Sequence, residues 1–433
     1  MRSYPRKEPL RVLWFTQVEL PAVQRRVRPT VFRGCGWQEG LRIALCAEGS
    51  LRLGMAATGA TPFEPFDAEG VRYFHVPGPP QTGGFAGVAS HWRHRTDEGL
   101  LLAGASAVID QFRPDLIHIH GSEGPFGLLA MTTAVPVILS LQGILLVYSR
   151  AYFSGVPVAD IVREAASLEF AKGRGIIHDY MDMRVAARRE LGILRACHSF
   201  TGRTNWDKGI VSVINPHAHY YHAEEVLRPE FYLRDWRPSS CSAFVAYSTL
   251  GPDPYKGLIN LLEAVALLRG SALPHMRLRV AGQIQGTRMW PIVQRAVNRW
   301  RLHGAVEWLG SLAPSAVVSE LSAASVYVHP SIVENSPNSL AEAMILGVPC
   351  VASSAGGVPS LLKDGHEGLL CPTDDVYGLA GAIGAIAADP ALAARLGANA
   401  RVRAGRRHDP RSIAQTTIAI YEDVVLHGQA RRL

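Results

Sequence analysis

Two glutamates, Glu334 and Glu342, stand eight positions apart in a segment that alternates between strand and helix patterns. Residues 325–330 (SVYVHP) have the apolar, β-branched pattern of a short buried strand that a proline ends. Asn338 and Ser339 are typical cap residues for the helix that follows. The pattern therefore predicts one carboxylate on a loop at the carboxyl end of a strand. The other is predicted in the first turns of the next helix.

This corner of an open α/β sheet is where ligands bind. The free N–H groups at a helix start attract phosphate, and a nearby carboxylate accepts hydrogen bonds from hydroxyl groups. We therefore expect residues 338–340 and both glutamates to form a site for a phosphate-bearing ligand. The alternative interpretation of Glu342, taken alone, is an ordinary solvent-exposed glutamate on a helix, which is the usual state of that residue type.

Lys256 precedes a predicted helix in the segment PDPYKGLINLLEA. A lysine at the positive end of a helix is electrostatically misplaced if it only meets solvent. Its compact positive charge instead suits a ligand phosphate. We predict that Lys256 contacts a diphosphate.

A pair of glycines, Gly34 and Gly36, follows the first predicted strand and precedes a helix. Glycine lets backbone N–H groups approach a phosphate, and the helix start adds its dipole. The segment GCGWQE lacks the third glycine of a dinucleotide-binding GxGxxG, and no GxxxxGK[ST] occurs in the chain. The two glycines therefore predict phosphate contact, but neither an NAD fingerprint nor a P-loop.

His118 and His120 alternate along the predicted strand LIHIH, and we predict that they point to opposite faces. His120 is nearer the carboxyl end of the strand and is assigned to the cleft, while His118 is assigned a structural role. Three further candidates are Glu123 just beyond this strand, Gln142 after the next strand, and Gly357 in the glycine pair that follows VASSA.

Strand and helix patterns alternate in two series, which predicts two α/β domains with parallel sheets covered by helices. Prolines and charges in residues 228–242 mark the break between the series. Residues 1–235 are the predicted N-terminal domain and residues 241–411 the C-terminal domain. The helical stretch 158–196 is predicted within the first domain.

Composition and length favour an ordinary globular protein with two domains, each with its own hydrophobic core. Of its 433 residues, 48% are apolar and 19% charged, which excludes a disordered chain. The chain has no run of 18 apolar residues and no secretory leader pattern. Its six cysteines form no CxxC pair. We therefore expect a cytoplasmic protein.

The charge of the chain favours an anionic partner. The formal net charge is +7, and only five of the basic residues are lysines. Such a balance suits a nucleotide diphosphate or the inner face of an anionic membrane, against which the arginines at 184, 188, 189 and 195 could lie. The chain has no zinc-finger spacing and no block of basic residues, so nucleic acid is not the expected partner.

The Glu-x7-Glu spacing, with its strand, loop, helix and GGVP context, resembles retaining glycosyltransferases of the GT-B type, the glycosyl transferase group 1 family or glycosyltransferase family 4. The resemblance extends from about Ala243 to about Asp423 and is weaker in the N-terminal half. It implies two Rossmann-like domains that face each other across a cleft. It also implies that a last helix, within residues 412–433, crosses back onto the N-terminal domain.

The resemblance also implies roles for individual residues. Glu334 and His120 would contact the donor sugar, Lys256 the diphosphate and Glu342 the ribose hydroxyls. A part of the donor site would be formed by residues Gly34, Gly36, Asn338, Ser339, Leu340 and Gly357, and Glu123 would reach the acceptor. The family commonly has an arginine a few residues before the lysine, but residues 248–255 contain none.

This departure leaves one part of the phosphate site unassigned, and Arg288 is our candidate replacement. Gln142 stands where many relatives have histidine, which argues against a general base there. No Asp-x-Asp occurs, in agreement with an enzyme that needs no metal or other cofactor.

The function expected from the sequence is glycosyl transfer with retention of configuration. The donor would be a nucleotide-diphosphate sugar and the acceptor a glycan or a lipid-linked sugar, in the synthesis of a cell-envelope or exported polysaccharide. Three alternatives stay open: a GT-B nucleotide-sugar epimerase or isomerase, a non-catalytic nucleotide-sugar-binding subunit, and an NAD-dependent oxidoreductase without the usual fingerprint.

Overall fold

The computed structural model describes residues 8–27, 36–59, 61–78, 92, 98–237 and 243–430. These residues form two mainly parallel sheets in sequence order, each with helices on both faces. The last strand of the first sheet ends at His222, and the first strand of the second begins at Val245. The domain boundaries given above stay a prediction.

The first sheet has eight strands in the order β3-β4-β2-β1-β5-β6-β7-β8. All neighbouring pairs are parallel except β3 and β4. The strand bounds are β1 Leu10–Thr16, β2 Leu51–Thr58, β3 Phe66–Ala68, β4 Val71–Val76, β5 Leu116–His120, β6 Val137–Ser140, β7 Ser199–Gly202 and β8 His219–His222.

Helices cover this sheet on both faces and bury its apolar side chains in two clusters. Their bounds are α1 Pro21–Val27, α2 Gly36–Glu48, α3 Glu98–Phe112, α4 Leu129–Thr132, α5 Leu145–Tyr148, α6 Val158–Ala165, α7 Leu168–Ala171, α8 Ile176–Ala196 and α9 Asn205–Ile214. Short 3₁₀ turns lie at Pro125–Leu128 and Pro229–Tyr232.

The second sheet has six parallel strands in the order β11-β10-β9-β12-β13-β14. Counted within this sheet, the order is 3-2-1-4-5-6, that of a Rossmann-type doubly wound fold. The bounds are β9 Val245–Thr249, β10 Arg277–Ala281, β11 Val306–Gly310, β12 Val326–His329, β13 Cys350–Ser353 and β14 Leu369–Cys371.

The helices of this half bury the sheet in two further apolar clusters. Their bounds are α10 Leu258–Arg269, α11 Trp290–Arg299, α12 Pro314–Ala323, α13 Asn338–Leu346, α14 Val358–Leu361, α15 Val376–Ala388, α16 Pro390–Arg407 and α17 Pro410–Ala430. A 3₁₀ turn at Pro254–Lys256 precedes α10.

The final helix, α17, packs on the first sheet rather than on the second. The hydroxyl of its Tyr421 lies 3.1 Å from the indole nitrogen of Trp14, which donates to it, and 2.6 Å from Nδ1 of His118. All three side chains are buried. The α/β fold with two Rossmann-like domains and a C-terminal helix that returns to the first one is thereby confirmed.

Two differences between the predicted and the observed elements have a physical reason. The helical stretch 158–196 is divided into α6, α7 and α8, and the turn between α7 and α8 contains Gly173 and Gly175 at positive φ. The strand β2 (LRLGMAAT) is absent from our sequence interpretation. It contains glycine, alanine and methionine, and its one β-branched residue is the terminal Thr58, so its pattern does not favour a strand.

The strand order places the ligand-binding loops. In the second sheet, β9 and β12 are neighbours whose following connections lead to opposite sides, so a crevice opens beyond their carboxyl ends. The loops 250–257 and 330–337 lie at this crevice. The equivalent loops of the first sheet, after β5, β6 and β7, face them.

None of the described helices alone has the length and hydropathy that a bilayer crossing requires, although the bent pair 376–388 and 390–428 meets these criteria jointly.

Candidate active site

Glu334 lies in the loop that follows β12, and its carboxylate joins the two domains. Nζ of Lys256 donates to Oε2 at 2.6 Å, and the hydroxyl of Tyr148, from the first domain, donates to Oε1 at 3.2 Å. The Glu334 side chain is only 11% exposed. A nearly buried carboxylate is therefore held by one cation and one phenol.

The environment keeps Glu334 ionised. Burial by itself raises the pKa of this carboxyl group, but Lys256, His329 and the N–H of Asn335 act in the opposite direction, and together they bring the pKa below its ordinary value. Burial lowers the pKa of His329 to about 4. At neutral pH the charged pair in the site is thus the Glu334 carboxylate with the Lys256 ammonium.

The position of Lys256 depends on the glycine that follows it. Gly257 has φ +73° and begins α10, and a Cβ at this position would lie 2.0 Å from the carbonyl oxygen of Pro330. Only glycine adopts this backbone without strain and tolerates this approach. The Lys-Gly step therefore packs the Lys256 turn against the loop that carries Glu334.

A cavity of about 450 Å³ opens between the two domains at this ion pair. Its lining residues come from loops after five strands, two in the second domain and three in the first. They are Thr249, Leu250, Gly251, Lys256, His329, Glu334, Ser336, Pro337, Asn338 and Ser339 from the second domain, and Glu123, Gln142, Gly143, Tyr148 and Arg203 from the first. The sequence prediction placed six of these residues at the site: Lys256, Glu334, Asn338, Ser339, Glu123 and Gln142.

The start of α13 borders the cavity, but not with the predicted cap. The helix begins at Asn338, its N-cap is Pro337, and no side chain accepts a hydrogen bond from its first turn. The expectation that Asn338 and Ser339 form the cap was wrong, because Pro337 already has the extended backbone of a cap residue. The uncapped N–H groups of this turn leave donors for an anion.

Glu342 lies one turn further along α13 and has a different partner. Nε and Nη2 of Arg228 donate to its two carboxylate oxygens at 2.7 and 2.8 Å. Burial raises the pKa of Glu342, and Arg228 acts in the opposite direction. Neither Glu342 nor the buried Leu340 borders the cavity, so the structure does not bring the two glutamates to one pocket. The ribose-binding role of Glu342 stays a prediction.

His118 and His120 lie on the same side of β5, and our prediction of opposite faces was wrong. Their ring centroids are 4.0 Å apart, because side chains two positions apart on a strand share a face. Nε2 of His118 bonds the hydroxyl of Ser140 at 2.6 Å, which with the Tyr421 contact gives it a structural role.

His120 has no hydrogen-bond partner at either ring nitrogen among the described residues, and it packs against Trp14 and Trp37. Burial lowers its pKa far below the ordinary value, and His118 and Arg203 act in the same direction. A neutral imidazole with two unused nitrogens therefore lies buried at the end of β5. His120 is not among the residues that line the cavity, and its contact with a donor sugar stays a prediction.

Arg288 is not the second cation of this cavity. Its guanidinium pairs with Asp179 and lies beside Tyr152 and Asp253, in a separate pocket on the other side of the loop 250–256. The arginine that lines the cavity together with Lys256 is Arg203, after β7, which donates to the carbonyl of Leu141 at 2.7 Å. Sequence reasoning missed Arg203 because it belongs to the other domain and follows a strand with no recognisable motif.

The glycine predictions have mixed outcomes. Gly34 lies outside the described residues, and Gly36 is the first residue of α2, where it packs against the side chain of Arg228 rather than at the cavity. Gly357 donates its N–H to the carbonyl of Glu334 at 3.0 Å, and a Cβ there would lie 2.2 Å from the carbonyl oxygen of Asn335. Gly357 thus supports the backbone of the Glu334 loop.

Asn335, next to Glu334, forms hydrogen bonds to several groups of the first domain. The hydroxyl of Thr204 donates to Oδ1 at 2.7 Å, and Nδ2 donates to Oδ2 of Asp207 at 3.0 Å and to the carbonyl of Gln142 at 3.2 Å. Asn335, Thr204 and Asp207 are all buried. This polar contact fixes the Glu334 loop against the first domain.

Carboxylates, histidines and thiols do not assemble into a group of three that could hold a metal ion within the described ranges. The chemistry that the described side chains supply is electrostatic: a lysine and a helix start for an anion, and a carboxylate for hydroxyl groups or a developing positive charge.

Comparison with known families and proteins agrees with this architecture. Residues 248–403 match the family described as "Glycosyl transferases group 1", and residues 36–172 match the "Glycosyl transferase 4-like domain". The MMP alpha-(1->4)-mannosyltransferase of Mycolicibacterium hassiacum is 30% identical over 173 residues, 40% of this chain and 41% of that protein.

A D-inositol 3-phosphate glycosyltransferase of Streptomyces bingchenggensis is 32% identical over 203 residues, 42% of this chain and 44% of that protein. The chain thus aligns with about two fifths of the length of these curated relatives.

Solved structures extend the similarity over nearly the whole chain. Sucrose-phosphate synthase from Thermosynechococcus elongatus superposes with a TM-score of 0.72 at 18% identity, covering 96% of this chain and all of that one. Anabaena HepE, solved in complex with UDP and glucose, gives 0.65 at 17% identity, covering 95% and 98%. At these identities the likeness concerns the fold. By sequence, residues 248–403 belong to the glycosyl transferases group 1 family and residues 36–172 to the glycosyl transferase 4-like domain family, and the fold is the GT-B arrangement of two Rossmann-like domains.

Proposed function

We propose that this chain is a retaining glycosyltransferase that moves a sugar from a nucleotide-diphosphate sugar to a glycan or a lipid-linked acceptor. The observation that carries the proposal is the meeting of Lys256, Glu334 and the start of α13 in one interdomain cavity. Cleavage of a sugar–diphosphate bond requires groups that bind the phosphate, here Lys256 and the helix start, and a group that binds the sugar, here Glu334. Family membership supports the same reaction class.

The phosphate side of the reaction would be served by Lys256 and the first N–H groups of α13. When the bond between sugar C1 and the phosphate oxygen breaks, its electron pair stays on the phosphate and adds negative charge there. Lysine and helix N–H groups fixed in a cavity stabilise such charge better than water, because they need no reorganisation. Lys256 pairs with Glu334 in the absence of ligand, so a bound diphosphate would share this cation.

The sugar side would be served by Glu334. Its carboxylate can accept hydrogen bonds from sugar hydroxyls and can offset the positive charge that develops on the sugar ring. The hydroxyl of Tyr148 occupies one oxygen of Glu334 and fixes its orientation. The predicted contact of His120 with the donor sugar would use its unpaired ring nitrogens, which can donate or accept one hydrogen bond each.

Retention of configuration would follow from attack on the face that the phosphate leaves. The acceptor oxygen forms a bond to C1, and its proton passes to the oxygen of the departing phosphate. This route needs neither a protein nucleophile nor a metal ion, and Glu334 keeps its charge throughout. The acceptor would enter from the first domain, beside Glu123, Gln142 and Arg203.

The donor is inferred from the relatives. HepE was solved with UDP and glucose and also with UDP-glucose, and a glycosyltransferase involved in lipopolysaccharide biosynthesis shares the fold at a TM-score of 0.62. A nucleotide-diphosphate hexose and a cell-envelope or exported glycan are therefore the proposed donor and pathway class, with the reaction on the inner side of the membrane.

A panel of UDP-, GDP-, ADP- and TDP-sugars tests the donor. At a ligand concentration of 100 times the dissociation constant, binding adds about 2.7 kcal/mol to the free energy of unfolding. Thermal unfolding should therefore shift upward with one nucleotide series and not with NAD or flavin. A shift with nicotinamide alone would overturn the proposal.

Product analysis separates transfer from its alternatives. With a sugar or lipid-linked acceptor present, the protein should form a new glycoside with the anomeric configuration of the donor, and EDTA should not change the rate. An isomerase would convert the donor sugar equally well without acceptor. A non-catalytic subunit would bind donor and form no product.

A further inference from the structure

Helix α6 buries an acidic side chain and exposes two valines. Its acidic residue Asp160 is buried and accepts hydrogen bonds from Arg163 at 2.9 Å and from Arg295 of α11 at 2.6 Å. Its valines Val158 and Val162 are 75% and 63% exposed. In a helix that only covers a core, the apolar side chains face inward and the charges outward. Here Ile161 packs on the core, while the Arg295–Asp160 pair holds the helix with both valines exposed.

The exposed apolar face of α6 is continuous along the helix. Positions 158, 162, 165 and 166 recur at the spacing of one helical face, and they are valine, valine, alanine and alanine, all exposed. In the next helix, α7, Leu168 is 78% exposed. We call the side chains of Val158, Val162 and Leu168 the α6–α7 apolar face.

A tryptophan lies beside α7. Trp92 is 44% exposed, its ring packs edge-on against Phe170 and His178, and its indole N–H lies 3.4 Å from the carbonyl of Ala171. A half-exposed indole with a polar and an apolar edge is typical of residues at a lipid–water boundary.

The exposed charges near this face are mostly positive. In residues 150–174 the exposed basic side chains are Arg150, Arg163, Lys172 and Arg174, and the one exposed acidic side chain is Glu169, which Lys172 pairs at 2.8 Å. Lysine and arginine side chains close to an anionic bilayer are attracted to its surface charge. An apolar face with a basic surround fits the interfacial region of such a bilayer.

We propose that the α6–α7 apolar face docks this protein on an anionic lipid surface, with Val158, Val162, Leu168 and Trp92 inserted among the headgroups. The proposal rests on the proposed function in one respect, since a lipid-linked acceptor would be presented at that surface. A second copy of the chain fits less well. Three aliphatic side chains are few for a dimer interface of about 800 Å² per partner, and a two-fold contact would oppose two basic surrounds.

Vesicle sedimentation of the full chain tests the proposal without donor or acceptor. The probes are vesicles of phosphatidylcholine alone and vesicles that contain a third of phosphatidylglycerol. We expect binding to the anionic vesicles that salt weakens, and a partition coefficient at least about tenfold lower for the double variant Val162→Asp with Leu168→Asp. Equal binding of wild type and variant, or equal binding to both vesicle types, would overturn the proposal.

The matched control is Val213→Asp, because Val213 is 83% exposed on α9, away from this face. It should bind vesicles as wild type does. Both variants should keep the wild-type thermal midpoint and the wild-type response to the nucleotide-sugar panel, which keeps this test independent of the proposed function. A lower midpoint in the Val162/Leu168 variant alone, or the loss of a dimer, would show that the face contacts protein and would also overturn the proposal.

Discussion

Glu334 and Glu342 belong to one short motif and are buried to the same degree, yet their surroundings differ. Glu334 faces a cavity, where a lysine and a tyrosine from different domains each take one oxygen. Glu342 does not border the cavity, and the guanidinium of Arg228 donates hydrogen bonds to both of its carboxylate oxygens. The first carboxylate keeps room for a ligand and the second does not in this structure. Spacing in sequence therefore does not make two side chains functionally equivalent.

The largest expected effect is that of Glu334→Gln. The variant keeps the size of the side chain and removes its charge, so the developing positive charge on the sugar loses its partner. We expect kcat to fall about 10²–10³-fold, as when one preorganised electrostatic group is removed from an active site. The thermal midpoint should change little, because Lys256 can still donate to the amide oxygen and the hydroxyl of Tyr148 can accept from the amide nitrogen. Steady-state transfer kinetics measure the effect.

The control for that variant is Glu422→Gln, an exposed glutamate on α17. It should transfer sugar at the wild-type rate. If Glu334→Gln retained wild-type kcat, the assignment of Glu334 to the reaction would be wrong. If it lost both activity and folding, Glu334 would be structural.

Glu342→Leu should affect folding more than it affects the cavity. It leaves the guanidinium of Arg228 half-buried without its carboxylate. Breaking a fully buried pair costs about 3–5 kcal/mol, and since the Arg228 side chain is 19% exposed, we expect a loss of about 2–3 kcal/mol in the free energy of unfolding. Urea unfolding measures it.

The double variant Arg228→Met with Glu342→Leu sharpens this prediction. Replacing both partners by apolar groups removes the uncompensated charge, so most of the lost stability should return. If Glu342→Leu kept full stability but lost the thermal shift with nucleotide sugar, Glu342 would act on the ligand, and Arg228 would have to move when donor binds.

Asn335→Ala should have an intermediate effect. It removes the hydrogen bonds to Thr204, Asp207 and the carbonyl of Gln142 that hold the Glu334 loop against the first domain. We expect kcat to fall about tenfold, because misplacing a catalytic group by about 1 Å costs 10- to 100-fold. Asn399→Ala is the control, since its amide bonds only a carbonyl within the second domain. Equal kinetics of the two variants would contradict the role of Asn335.

Much of the second domain could be predicted from its sequence because its signals are local. Lys256 and Glu334 follow adjacent strands, so strand order alone brings them together. Arg228, Arg203 and Tyr148 could not be predicted, because each reaches the site from elsewhere through tertiary packing. Arg288 was misassigned for the same reason: its partner, Asp179, lies in the other domain.

The two histidines of β5 give a different lesson. The strand and the carboxyl-end position of His120 were predicted correctly, but the relation between His118 and His120 was not. Side chains alternate between faces at every residue, so the partner on the opposite face was Ile119 and not the second histidine. The error concerned geometry, and the sequence signal itself was sufficient.

The smallest expected effect concerns Glu190, a third buried glutamate, which pairs with no lysine or arginine among the described residues. The hydroxyl of Ser122 donates to it at 2.6 Å and the N–H of Leu146 at 3.0 Å, but burial outweighs these bonds and raises the pKa to about 7. The folded state therefore binds a proton that the unfolded state has lost above a pH of about 4.3, and the free energy of unfolding falls as pH rises toward 7. Glu190→Gln removes this slope, and should be more stable than wild type at pH 8, by roughly 1–2 kcal/mol, but not at pH 4.5. Urea unfolding at both pH values measures the difference. An unchanged slope would mean that Glu190 is ionised in the folded protein, as Glu334 is with its lysine.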